Sequence, residues 1–68
     1  MNQWQRIMEY IDRHGSISPM EAFTDLGITK LATRVSELIR DGVPIKKFKE
    51  HGQNRFGDEV YYMRYYRA

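Results

Sequence analysis

Apolar residues recur at Trp4, Ile7, Met8 and Ile11, the spacing of one helical face, with Gln5, Arg6, Glu9, Asp12 and Arg13 opposite. Gly15 stops the run, which predicts a first helix over about residues 2–14. Ser16-Ile17-Ser18 is too short for a helix, and its β-branched Ile17 suits a brief edge strand with one buried residue. Ser18-Pro19-Met20-Glu21 is the strongest local signal. Ser18 can accept from the N3 amide, Pro19 suits the first helical position, and Glu21 can reach back to the Ser18 amide. A second, two-turn helix over 19–26 follows, burying Ala22, Phe23 and Leu26 and ending at Gly27. Thr29 is positioned to cap a third helix over 29–41, with Leu31, Ala32, Val35, Leu38 and Ile39 on one stripe and Asp41-Gly42 at its end.

Beyond Gly42 the helical period is lost. Val43-Pro44-Ile45 leads into a lysine-rich run and a polar, Gly-containing segment over 51–59, and Val60 to Tyr66 is almost all β-formers. The pattern predicts a hairpin with strands near 44–50 and 59–67 and a long loop between them. Its register stays open, because Phe48 falls on the face opposite Ile45, Lys47 and Lys49, so either a bulge or an aromatic outer face is required. The expected core is Trp4, Ile7, Ile11, Phe23, Leu26, Ile28, Leu31, Val35, Leu38 and Ile45.

Charge sharpens this picture. Residues 1–27 carry Arg6 and Arg13 against Glu9, Asp12, Glu21 and Asp25, a balance of −2, whereas residues 28–68 carry nine basic side chains against five acidic ones, a balance of +4. A polyanion facing the C-terminal portion is one explanation, and scattered surface lysines are the other. A short capped helix, a glycine turn and a longer helix with Thr, Lys and Arg outward form the pattern of a helix-turn-helix, here over about 19–41. The outward residues of the third helix are Thr29, Lys30, Thr33, Arg34, Glu37 and Arg40. Arg34 at mid-helix suits bidentate contact with a guanine edge. The hairpin over about 44–67 would be a wing, with Lys46, Lys47, Lys49, Asn54 and Arg55 towards phosphates or the minor groove. The second helix could rest its N-terminus, at Ser18, on a phosphate.

The run "QRIMEYIDRHGSISPMEAFTDLGITKLATRVSELIRDGVPI" resembles the short winged helix-turn-helix proteins common in bacteriophages and prophages, whose pattern is "HGSI-P-EA", "LGI", a basic residue, and "R--EL---G-PI". The resemblance covers roughly residues 5–45, and the hairpin only by type. Lys30 and Arg34 match basic positions of that family's recognition helix. Gly15, Ser18, Pro19, Glu21, Gly27, Gly42 and Pro44 match its punctuation. The resemblance implies an α+β fold of three helices and a C-terminal β-hairpin wing. It also implies DNA binding as a small phage or prophage transcriptional regulator or DNA-architecture factor. Thr33 and Ser36 depart from the stricter repressor-type pattern, which has aliphatic residues there.

Other chemistries find little support. Sixty-eight residues read as one domain, and a domain of this size buries only about 60% of its unfolded surface, leaving little room for a deep catalytic pocket. Cysteine is absent, and His14 and His51 have no ligand spacing, so neither a metal nor a cofactor is expected. No phosphate loop, nucleophile elbow or dinucleotide fingerprint is present. With no apolar run of membrane length and no signal-peptide core, a cytoplasmic protein is expected. The expected partner is double-stranded DNA, bound by a homodimer or a cooperative assembly, since one small module reads few base pairs. The alternative is a protein-interaction module that binds itself or a host protein through the aromatic C-terminal strand, Tyr61, Tyr62, Tyr65 and Tyr66.

Overall fold

The computed structural model describes residues 2–68, in the order α1 (Gln3–His14), α2 (Pro19–Leu26), α3 (Leu31–Arg40), β1 (Ile45–Gln53) and β2 (Glu59–Arg67). This is the α+β arrangement that the sequence predicts, three helices followed by an antiparallel hairpin. Both early helices begin with a capping box. At α2 the Glu21 amide donates to Ser18 Oγ (3.2 Å) and the Ser18 amide to Glu21 Oε1 (2.9 Å), as expected. At α1 Asn2 and Gln5 make the same reciprocal pair at 2.8 and 3.0 Å. Gly27 ends α2 at φ 68°, a left-handed conformation that costs glycine no Cβ clash. Its amide donates to the Phe23 carbonyl, and the Ile28 amide to that of Ala22.

The start of α3 differs from expectation. The N-cap is Lys30, not Thr29, and no side chain caps it. Ile28 and Leu31 are both buried, so the two residues between them are spent on the turn that brings the second anchor into the core.

That core consists of Ile7, Ile11, Ile17, Ala22, Ile28, Leu31, Val35, Leu38 and Tyr65, with Leu26, Ile45 and Met63 packed against it. Two expected members lie outside it. Phe23 is 58% exposed because Ala22 and Leu26, four apart, form the inward line of α2, and Phe23 is rotated about 100° from Ala22. Trp4 is 38% exposed, and its indole N–H donates to Glu37 Oε1 at 3.0 Å. Ile39, placed on the inward stripe of the third helix, is likewise 38% exposed. Ile17 and Tyr65, at 0% and 4% exposure, are core members instead. Their backbones exchange two hydrogen bonds (3.0 and 2.9 Å), so the connector pairs with the outer edge of β2 as a one-residue third strand.

The hairpin is longer and its loop tighter than the sequence suggests. Pairing runs without a bulge from Ile45↔Arg67 to Gln53↔Glu59. Asn54 closes the end: its Oδ1 accepts from the Phe56 and Asp58 amides (2.9 and 3.1 Å), and its carbonyl accepts from Gly57 at φ 82°. The five-residue loop Asn54–Asp58, with Gly57 in the left-handed position, is among the common hairpin lengths.

Candidate nucleic-acid interface

The outward stripe of α3 is set by what its other faces bury. With Leu31, Val35 and Leu38 inward, Thr33, Ser36 and Arg40 point most directly to solvent, at the i, i+3, i+7 spacing of one face. Ser36 was not among the expected site residues, although that spacing is visible in the sequence. Lys30 and Thr29 lie exposed just ahead of the helix.

Arg34 and Glu37, expected on the same outward surface, lie on the flank facing α1. Arg34 Nε donates to Gln3 Oε1 at 3.0 Å, its Nη1 donates to Glu37 Oε1 at 2.8 Å, and its guanidinium carbon lies 5.6 Å from the centre of the Trp4 ring. These bonds from Arg34 first, then from Trp4, hold the Glu37 carboxyl below the usual carboxylate range. Reading a guanine from Arg34 therefore requires exchange of partners already in place, whereas Thr33 and Arg40 need none.

In the wing, Lys47 and Lys49 share one face of β1 and Lys46 the other, while Arg55 stands on the loop. Asn54 faces inward to the loop, its side-chain oxygen occupied by two amides. Ser18 is 3% exposed, and its partner Glu21 puts a carboxylate at the start of α2, so the phosphate expected there has no access to Ser18.

A residue that was not singled out positions the wing. Arg64 Nη1 donates to Ser16 Oγ at 3.0 Å and to Glu21 Oε1 at 2.9 Å, and its Nε lies 3.0 Å from Glu50 Oε2. The Glu50 bond, with the nearby Glu21 charge, raises the already high guanidinium pKa, and Glu50 is correspondingly held below its ordinary value by Arg64. One side chain thus ties the connector, α2 and β1 together. Its only sequence signal was a lone arginine among strand-forming residues.

These pairings divide the cations of the C-terminal portion. Arg34, Arg64 and Arg67 each have a carboxylate within 3.0 Å, the last through Asp12. Among the described residues, Lys30, Arg40, Lys46, Lys47, Lys49 and Arg55 have no ion-pair partner, and all six are exposed. All six lie on α3, its N-terminal approach or the hairpin. The family model of the winged helix-turn-helix domain matches residues 2–66. The chain belongs to that family. Membership points to DNA binding by this winged helix-turn-helix. Comparison with curated proteins and with solved structures gave no significant match. Among the described residues, no helix is long and apolar enough to cross a membrane.

Proposed function

We propose that this winged helix-turn-helix binds double-stranded DNA with sequence preference, α3 entering the major groove and the lysine-bearing hairpin following the phosphate backbone or the adjacent minor groove. The observation that carries the reading is the division of cations: the paired arginines hold the fold together, and the unpaired ones occupy the two elements that contact DNA in this architecture. Thr33, Ser36 and Arg40 read base edges, Lys30 and Thr29 reach the flanking backbone, and Lys46, Lys47, Lys49 and Arg55 neutralise phosphates. Arg34 and Glu37 fix α3 against α1. The biological role is that of a small transcriptional regulator or DNA-architecture factor of a phage or prophage, acting in the cytoplasm as two or more copies on a repeated site.

The aromatic strand supports a protein-docking role less well, because Tyr65 is buried and Tyr62 and Tyr66 are half-buried, leaving Tyr61 as its exposed tyrosine. Salt titration of duplex binding separates the two readings. Six phosphate contacts would give a slope of about −5.4 in log affinity against log salt, so raising salt from about 50 to 200 mM lowers affinity by roughly 1,800-fold, and neutralising one wing lysine reduces the slope by about 1. A duplex affinity that does not change with salt would refute the DNA reading.

A further inference from the structure

Phe56 is 80% exposed, the greatest exposure of any large hydrophobic residue described, and it sits on the hairpin loop. Folding does not require a ring there. The loop is closed by the Asn54 side chain and by Gly57, and Phe56 contributes only its backbone amide to that closure. The other exposed aromatics of the wing have neighbours: Phe48 packs edge-on to Tyr66 with centroids 5.6 Å apart, and Tyr61 lies under Lys49 at 5.0 Å and beside His51 at 5.2 Å. No such partner for Phe56 exists among the described residues.

Its position gives the ring reach. A nine-residue strand spans roughly 30 Å, so Phe56 stands at the far end of the hairpin from Ile45 and Arg67, where Gln53 and Asn54 line one cleft with Pro19 and Met20 of α2. The loop itself has one cation, Arg55, against the carboxylate of Asp58, while Glu59 lies 3.4 Å from His51. Besides the single charge that Arg55 offers to phosphate, the loop presents a duplex with the apolar ring on a braced support.

We propose that Phe56 is a wedge that enters the minor groove, inserts between adjacent base pairs and bends the duplex. The inference rests on the DNA reading above and adds a bending activity to it. Phenylalanine is among the side chains that unstack base steps in this way, with bends of roughly 20–90°. Pyrimidine–purine steps unstack most readily and are the preferred point of entry.

The test uses duplexes of about 30 base pairs recovered by the protein from a random-sequence pool, labelled at both ends for energy transfer and carrying 2-aminopurine at successive pyrimidine–purine steps. The native protein shortens the end-to-end distance and brightens 2-aminopurine at one step. Phe56→Ala loses both effects but retains the melting temperature and a salt slope within about 1 of the native value. Phe56→Leu, still an apolar wedge, retains the bend. A mismatch at the entry step, where part of the unstacking is already done, raises native affinity by about tenfold and leaves Phe56→Ala affinity unchanged. Binding to a duplex that stays straight, or an equal bend with Phe56→Ala, overturns the wedge and leaves DNA binding standing. Failure to recover or retain any duplex overturns both.

Discussion

Replacing Arg64 by methionine keeps the alkyl stem and removes the three-way polar junction between the connector, α2 and β1. The guanidinium is well shielded, with its side chain 19% exposed, but the carboxylates of Glu21 and Glu50 are 38% and 35% exposed. Well-shielded hydrogen bonds to charged groups contribute about 1.5–3 kcal/mol each, and exposed ion pairs about 0.2–1 kcal/mol. The released carboxylates can turn to water, so the loss falls short of that for a fully buried pair. About 2–3 kcal/mol in total is expected. A chain of this length has roughly 3–10 kcal/mol of stability, and 1 kcal/mol shifts the midpoint of so small a domain by about 4–8 °C. Arg64→Met should therefore lower the thermal midpoint at pH 7 by roughly 10–20 °C. Arg64→Lys should recover only part of this, since one ammonium cannot span all three partners.

Glu21→Gln provides the internal control. Glutamine at this position can still accept from the Ser18 amide, so the capping box persists while the ion pair to Arg64 is lost. It should cost less than Arg64→Met, and the double variant should lose less than the sum of the two singles. The pH dependence carries a sign as well. Because Arg64 holds the Glu50 carboxyl below its ordinary value of 4.5, this pair stabilises the fold above that pH, and the contribution is lost as pH falls below it. Arg64→Met should flatten that acid limb. Circular-dichroism melts between pH 3 and 7 read both effects, and a midpoint drop below about 4 °C would refute the reasoning, because the junction would then be no more than solvated surface charge.

Ser18→Ala removes the acceptor of the Glu21 amide at a buried cap and should cost about 1 kcal/mol in urea denaturation, with duplex affinity unaffected. Arg34→Ala should lower stability by about 0.5–1 kcal/mol and change the ratio of preferred to random-sequence affinity by less than about tenfold. A larger loss of preference in a folded protein would show that Arg34 leaves Gln3 and Glu37 to read a base. On the alkaline side, hydrogen bonding to Asp25 pushes the Tyr10 phenol up to about 12, and burial raises that of Tyr65. The folded chain holds these protons more tightly than the unfolded one, so stability is full below about pH 10 and falls as pH rises towards 12. Absorbance titration at 295 nm with parallel urea midpoints checks this, and midpoints constant across that range would count against it.

The elements were legible where local chemistry decides them. Ser18-Pro19-Met20-Glu21 and Gly27 fix α2 from residues within one turn, and Leu31, Val35 and Leu38 orient α3 by spacing alone. Features decided by distant contacts were not. Whether Tyr65 or Tyr66 is buried is decided by which face of β2 meets the core, and there Tyr65 pairs with Ile17, 48 positions away in the chain. Period two alone cannot choose between the faces of a strand with tyrosines on both. Trp4 and Phe23 differ from expectation for a simpler reason: apolarity alone does not decide which face of a helix points inward, and Ala22 and Leu26, four apart, leave Phe23 at the side, while Trp4 turns its indole N–H to Glu37. In the site, residue types were readable but pairing was not. Arg34, Arg64 and Arg67 look like the other cations in sequence, and only tertiary contact with Glu37, Glu21, Glu50 and Asp12 removes them from the charge available to a polyanion.

The open edge of β1 links that available charge to assembly. Tyr65 gives its amide and carbonyl to Ile17, so Lys47, directly opposite on β1, has its own amide and carbonyl turned away from β2. Alternation then places the outward backbone groups at Ile45, Lys47, Lys49, His51 and Gln53. An unpaired edge of this length is a template for a second strand, yet antiparallel pairing of two copies about Lys49, the middle of β1, would set Lys49 of one directly opposite Lys49 of the other. Like charges directly opposed destabilise a sheet by about 0.2–1 kcal/mol per pair, and edge lysines are a common means of keeping such strands single. The same lysines lose that repulsion beside phosphate. In the DNA-binding reading proposed above, this charge pattern disfavours the β1 edge as a contact between free copies, so two modules on a repeated site would meet through other surfaces.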